Sequence, residues 1–333
     1  MIQKINKIAV IGSGIMGSRI ACHFANIGVE VLLLDIVSEG PDNNRNKIVN
    51  ESLQSTLKSK PSPIYSKSFS TRIKTGNLSD DLSKINEADW IIEVIVENLE
   101  IKKQLFSDIE KYRSPGTIIS SNTSGIPINK MIEGRTDNFC EYFCGTHFFN
   151  PPRYLKLLEI IPSKKTNSEL ISFLMSYGEK FLGKTTVLCK DTPAFIANRI
   201  GVAGIAALFK LSEDLEMPVE EIDSLTGVII GRPKSATFRT SDLVGLDTLN
   251  SVAKGVYDNC LDDEQREIFN LPPFINKMLE KKWLGDKTKQ GFYKKDRDAK
   301  GNRKILSLNL KTLEYEEKRK VKHETVGKAK KIN

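Results

Sequence analysis

Lys7-Ile8-Ala9-Val10-Ile11-Gly12-Ser13-Gly14-Ile15-Met16-Gly17 is a short apolar run that breaks at once into three glycines spaced Gly-x-Gly-x-x-Gly. The apolar run reads as a buried strand. Apolar residues at helical period follow (Ile15, Met16, Ile20, Ala21, Phe24, Ala25, Ile27) and end at Gly28, a helix stop. Val29-Glu30-Val31-Leu32-Leu33-Leu34-Asp35 then reads as a second buried strand that ends in an acid. Strand, glycine turn, helix and strand in this order predict a βαβ unit in a parallel sheet. The first glycine allows a tight turn, the second lets the backbone approach a pyrophosphate, and the third lets helix pack on strand. The helix start offers free amides and the positive end of the helix dipole to phosphates. A dinucleotide is therefore expected on Gly12, Gly14, Ile15, Met16 and Gly17. Asp35 lies 23 positions after Gly12, where an acid bonds the adenine ribose hydroxyls and disfavours a 2′-phosphate, so NAD is expected over NADP.

Working outward, Trp90-Ile91-Ile92-Glu93-Val94-Ile95 is nearly all apolar and reads as a central parallel strand. Leu99 to Tyr112 has helical period. Thr117 to Ser120, Cys144 to Phe149, Lys156 to Ile161 and Thr185 to Cys189 read as strands, with a helix Ser168 to Phe181 before the last. The polar, lysine-rich segment Ser38 to Lys74 is expected to be helical between Asn43 and Lys60 and a loop at Pro61-Ser62-Pro63. Beyond Asp191-Thr192-Pro193 the pattern is helical over roughly 194–216, 218–228, 241–259 and 272–282, with Pro193 at the first helical position. The expected fold is α/β: a Rossmann-type doubly wound sheet followed by a mostly α-helical C-terminal domain. The domains are read as 1–190 (NAD-binding), 191–295 (helical, for substrate and dimerisation) and 296–333 (basic tail or linker).

Composition narrows the class. The chain has 333 residues and a net charge of +8, and residues 296–333 alone carry 12 Lys/Arg against 6 Asp/Glu. That basic stretch has no interleaved aromatic pattern, so a solvated tail is expected and no nucleic-acid or membrane partner. The five cysteines include no Cys-x-x-Cys pair, which predicts neither a disulfide framework nor a metal site. The longest apolar stretch, Ile200 to Phe209, is too short to span a bilayer. The first strand begins within a few residues of Met1 and leaves no room for a signal peptide. A cytoplasmic protein is expected.

The chemistry is concentrated in His147-Phe148-Phe149-Asn150-Pro151, followed by Glu159 twelve residues after His147. A neutral imidazole takes a proton from an alcohol near pH 7, and a carboxylate on its other nitrogen holds the tautomer and stabilises the imidazolium. His147 ends one expected strand and Glu159 lies in the next, so the chain can fold back and bring them together. The other histidines, His23 on the first helix and His323 in the tail, are read as ordinary.

These segments resemble the L-3-hydroxyacyl-CoA dehydrogenases of fatty-acid β-oxidation. The resemblance runs in family order through Gly12–Gly17, Val96-Glu97-Asn98-Leu99, Ser121-Asn122-Thr123-Ser124, His147–Pro151, Leu157-Leu158-Glu159, Lys190-Asp191-Thr192-Pro193, Phe195-Ile196-Ala197-Asn198-Arg199, Val244-Gly245-Leu246-Asp247 and Gly291-Phe292-Tyr293. It implies NAD-dependent oxidation of (S)-3-hydroxyacyl-CoA to 3-oxoacyl-CoA, with His147 as general base paired to Glu159. Ser124 and Asn198 would hydrogen-bond the substrate hydroxyl, the histidine or the thioester carbonyl, and Glu97, Lys102 and Asn122 would lie at the cofactor. On residues alone, Lys102 reads as a solvated lysine on a helix face. Gly231-Arg232-Pro233-Lys234-Ser235-Ala236-Thr237-Phe238-Arg239 resembles a bacterial branch in which a hydratase-type region follows the dehydrogenase. The partners implied are an acyl-CoA substrate and either a second copy, through the apolar helices Phe195–Leu211 and Leu243–Val256, or that downstream region. The family often has a second serine where Gly125 stands here, and Asp35 to Lys74 matches it poorly. None of the lysines there is assigned to CoA. A same-fold dehydrogenase of a free hydroxy acid and a non-catalytic NAD-binding module of a longer chain stay open.

Overall fold

The structure, a computed structural model, describes residues 4–39, 44–298 and 300–329. The chain divides into two compact units, Met1–Phe195 and Ile196–Asn333.

The first unit is built on eight strands: β1 (Lys7–Ile11), β2 (Glu30–Asp35), β3 (Ile73–Asn77), β4 (Trp90–Glu93), β5 (Ile118–Ser121), β6 (Phe143–Phe148), β7 (Leu157–Pro162) and β8 (Thr185–Leu188). They form one sheet in the order β3-β2-β1-β4-β5-β6-β7-β8. Every neighbouring pair is parallel except β6 and β7, which run antiparallel. Side chains alternate between two cores, as a period-2 strand requires. Val10, Trp90, Ile92, Phe148 and Leu158 join Phe24 on one face, while Ala9, Ile11, Ile91, Ile119 and Ile161 join Phe106 on the other. With both faces covered, the central strands are apolar throughout, which explains why they stand out in the sequence. The chain passes from β1 to β2 on one side and reaches β4 on the other. That reversal opens a crevice at the carboxyl ends of β1 and β4, where open α/β sheets take ligands.

The second unit packs the helices Ala197–Asp214, Val219–Leu225, Phe238–Val244, Leu246–Asn259 and Pro273–Glu280 around Phe209, Phe238, Phe274, Phe292 and Leu249. The doubly wound sheet and the helical second unit agree with the expected fold class. Several details differ. The helix after Pro193 begins only at Ala197, because Ala194 (φ 62°) and Phe195 (φ 50°) are left-handed and interrupt it. The two compact units meet in sequence at Phe195 and Ile196. The helix expected over 241–259 is two helices, parted at Gly245 (φ 98°). β3 was not foreseen: Ile-Lys-Thr-Gly-Asn has little apolar character, and its place comes from pairing with β2 at the sheet edge.

The expectation of a solvated tail from residue 296 is corrected. Tyr293–Arg297 (β9), Arg303–Leu308 (β10) and Tyr315–Glu317 (β11) form an antiparallel sheet in the order β11-β10-β9. Leu306 and Leu308 are buried, and Leu308 enters the core of the second unit. The charges lie on the outer side of these strands and hide a short apolar seam.

His23, on the helix Ile15–Asn26, is buried with Nε2 3.1 Å from the Leu182 carbonyl and Nδ1 without a partner. Burial, and then the nearby Lys184 charge, push its pKa down from 6.5 to about 4. Its folded pKa lies below the unfolded one, so the stability it contributes is present above pH 6.5 and lost as pH falls toward 4. At 1.36 kcal/mol per unit this amounts to about 3 kcal/mol. Urea unfolding at pH 7 and pH 4.5 should show a smaller acid loss in His23→Gln than in the wild type. Equal losses would contradict the assignment.

Candidate active site

The glycine loop has the conformation that its spacing suggests. Gly12 (φ +102°) is pressed so close to β4 that a Cβ there would lie 2.5 Å from the Val94 carbonyl oxygen, and a Cβ on Gly17 would lie 1.8 Å from that of Gly12. Gly14 has nothing within 4 Å of its Cβ position, so the approach to the helix start is open. It caps the helix Ile15–Asn26 with no side-chain hydrogen bond and no acid in the first turn, which leaves those amides for an anion. Asp35 ends β2 and accepts from the Ser13 amide (2.6 Å), the Ser13 hydroxyl (2.5 Å) and the Ile36 amide (2.7 Å). It anchors the glycine loop from the position where a ribose would bind. Ile15, Ile36 and Val96, at the carboxyl ends of β1, β2 and β4, are more than half exposed and offer apolar contact to flat rings. The residues present fit a dinucleotide.

Behind this cradle lies a buried charge network that the sequence did not reveal. Glu93, the last residue of β4, is fully buried. Its Oε1 accepts from the Lys102 ammonium (2.6 Å) and the Ile95 amide (2.7 Å), and its Oε2 from the Ser121 hydroxyl. Burial, foremost, raises the Glu93 pKa, and Lys102 opposes that rise. Lys102 is 1 % exposed, not a solvated lysine on a helix face. It also lies 3.3 Å from Glu97. Glu97 in turn accepts from the Thr123 hydroxyl (2.5 Å) and the Ser124 amide (3.0 Å). The lysine thus fixes the strand ends on which Glu97 and Ser124 sit. The only sequence hint was an acid within the otherwise apolar run Trp90–Ile95.

Asn122 follows β5 and ties it to β6: its amide donates to the Glu93 carbonyl (2.8 Å), and its Oδ1 accepts from the Phe148 amide (2.9 Å). That bond fixes the backbone next to His147. Among the described residues the Ser124 hydroxyl has no hydrogen-bond partner.

His147 and Glu159 face each other directly in the antiparallel β6–β7 register. Nδ1 of His147 is 2.7 Å from Oε2 of Glu159. Glu159 is fully buried, and His147 retains 6 % exposure. The buried carboxylate accepts from Nδ1–H and so leaves the lone pair on Nε2, the nitrogen suited to take a proton. Phe149 and Phe195 flank the imidazole at ring-centroid distances of 4.4 and 5.7 Å. The β6–β7 connection is held by the buried Lys184 ammonium, which donates to the carbonyls of Pro152 and Leu155. Burial pulls the Lys184 pKa down to about 8. The first unit thus brings together Gly12–Gly17, Asp35, Glu97, Lys102, Asn122 and Ser124 at the carboxyl ends of its parallel strands, and His147 with Glu159 on β6 and β7. Asn198 lies in the second unit, in the first turn of the helix Ala197–Asp214. Among the described residues no cluster of His, Cys, Asp and Glu could hold a metal ion, and no helix is long and apolar enough to cross a membrane.

Comparison with known proteins agrees with this geometry. Residues 7–192 match the family model "3-hydroxyacyl-CoA dehydrogenase, NAD binding domain", and residues 195–295 match "3-hydroxyacyl-CoA dehydrogenase, C-terminal domain". A probable 3-hydroxyacyl-CoA dehydrogenase of Bacillus subtilis is 49% identical over 99% of the chain, which spans only 43% of that protein's length. One from Deinococcus radiodurans is 45% identical over 90% of the chain and 85% of its own length. The crystal structure of (S)-3-hydroxybutyryl-CoA dehydrogenase from Ralstonia eutropha superimposes with a TM-score of 0.71 at 27% identity, covering 86% of this chain and 98% of that one. The two domain matches and the Deinococcus radiodurans relative place the chain in the 3-hydroxyacyl-CoA dehydrogenase family, with an NAD-binding first domain.

Proposed function

We propose that the chain oxidises (S)-3-hydroxyacyl-CoA to 3-oxoacyl-CoA, with His147 as the general base. The observation that carries this reading is the cross-strand pair: Glu159 holds Nδ1–H of His147 and leaves Nε2 to accept the proton of the 3-hydroxyl. Bound on the glycine loop, NAD supplies the hydride acceptor for C3. As the proton arrives, the Glu159 carboxylate stabilises the imidazolium across a bond shielded from water. The Ser124 hydroxyl and the Asn198 amide are assigned to the substrate oxygens. The free Ser124 hydroxyl supports that role, and Glu97 orients its backbone. Gly12, Gly14, Ile15, Met16 and Gly17 receive the pyrophosphate and Asp35 the ribose. Asn122, Glu97 and Lys102 shape the nicotinamide end, Lys102 by holding Glu97 rather than by reaching the ligand itself.

The expected result with purified protein is oxidation of NADH, and far less of NADPH, with acetoacetyl-CoA and none with the free 3-oxo acid. Turnover of the free acid alone would assign the chain to hydroxy-acid oxidation. Binding of NADH without turnover of either would leave a nucleotide-binding module.

The length of the Bacillus subtilis relative supports a reading in which this dehydrogenase works beside a hydratase-type region in one chain. Five cysteines, four of them buried and none in a disulfide, fit a reducing cytoplasm. Ile200, Val228, Ile230, Leu243 and Val244 are each at least half exposed in the second unit, which supports self-association through its helices. Light scattering should give the mass of a dimer, and a clean monomer at high concentration would end that reading.

A further inference from the structure

The second unit contains a cavity of about 920 Å³ between the helix Val219–Leu225, the turn before Phe238, strands β9 and β10, and the segment after β11. Eight Lys and Arg side chains line it against three acids. All three acids are already engaged. Asp223 accepts the amides of Thr237, Phe238 and Arg239 and the Tyr293 hydroxyl. Glu220 accepts the Arg319 amide, and Asp286 binds Arg239 through two 2.7 Å bonds. Of the cations, Arg319 has Glu316 at 3.1 Å, and Lys318 lies over the Tyr293 ring. Among the described residues Lys234, Lys289, Lys295, Lys320 and Lys322 have no carboxylate within ion-pair distance. Five ammonium groups without an ion pair, of which Lys295 also acts on the Asp286 carboxyl, surround one concavity and focus a positive potential that a multiply charged anion relieves.

The wall is not uniformly polar. Ile305 lies on the outer face of β10, 49 % exposed, opposite the inward Leu306, and lines the cavity with Val321 and the Tyr293 ring. A cation ring around an apolar wall, in a volume suited to a small organic ligand, matches phosphates attached to a flat base. A nucleic-acid surface would instead be an open basic stripe with interleaved aromatics. We propose that this cavity is a second ligand site, for a nucleotide-type polyphosphate, with the phosphates on the five lysines and the base against Ile305. Two sources carry that chemistry: a free nucleoside diphosphate, and the 3′-phosphorylated adenosine portion of CoA.

The test is calorimetric titration with NADH held at saturation, so that the glycine-loop site is filled. ADP should bind with a stoichiometry of one per chain and weaken steeply with salt. The triple variant Lys234→Gln/Lys320→Gln/Lys322→Gln removes exposed charges only. It should keep its unfolding temperature and NADH affinity while weakening ADP by at least about tenfold, given the worth of charged hydrogen bonds. Tighter binding of adenosine 3′,5′-bisphosphate than of ADP would identify the CoA nucleotide as the source, and the reverse order a free nucleotide. No ADP binding beside saturating NADH would overturn the proposal, as would unchanged affinity in the triple variant. Pyrophosphate binding as tightly as ADP would remove the base from the assignment, and a duplex oligonucleotide outcompeting ADP would replace the small-molecule reading.

Discussion

His147→Gln should lower turnover by about 10²–10⁴-fold, the usual worth of a positioned base, and leave NADH binding unchanged. Glutamine is the informative substitution because its amide N–H can still donate to the buried Glu159, so that carboxylate is not stranded and the fold is retained. What disappears is the nitrogen lone pair. The loss should fall on kcat, because the proton is transferred only in the reaction, and the rate should lose the limb of its pH profile that reports the base. Nicotinamide absorbance gives the rate and NADH fluorescence the binding. Full turnover in this variant would remove the histidine from the mechanism.

Lys102→Met should destabilise the first unit by about 3–5 kcal/mol at pH 7, the cost of leaving one partner of a buried ion pair unpaired. Glu93 would keep only the Ser121 hydroxyl and the Ile95 amide. The loss has a pH signature. Burial already raises the Glu93 pKa, and removing the ammonium raises it further. A carboxyl with a raised folded pKa contributes stability below its unfolded pKa and loses it as pH rises through the folded value. The variant should therefore recover on acidification toward pH 5, and Lys102→Met/Glu93→Gln should regain much of the stability at pH 7. Urea unfolding of the single variant that matched the wild type at both pH values would refute the network.

The course of the first unit was legible because both faces of its sheet are covered. Strands buried on two sides must be apolar throughout, and Lys7–Ile11, Val29–Asp35 and Trp90–Ile95 announce themselves. The pairing of His147 with Glu159 was legible because a short connection between two strands leaves little choice but an antiparallel return. The burial of Lys102 was not legible because residue type says nothing about what lies beneath a helix, and it depends on Glu93, nine positions away in sequence and on another element. The sheet β9–β11 was hidden by charge: its buried leucines are Leu306 and Leu308, with Tyr293 and Tyr315 partly buried on the same core, and basic residues surround them. The late start of the helix at Ala197 follows from two left-handed residues that are not glycine, a conformation with no signature in residue type.

The histidine and its carboxylate owe their spacing to the ladder between β6 and β7, not to the residues 149–156 that join those strands. Backbone pairing works as a ruler, and it reads the same whatever the connecting segment contains. Changes in that segment should therefore leave the spacing of the pair intact, provided that the Phe149 ring beside the imidazole is kept. The limit is Lys184, whose two carbonyl acceptors at Pro152 and Leu155 any replacement must reproduce or dispense with together with the lysine.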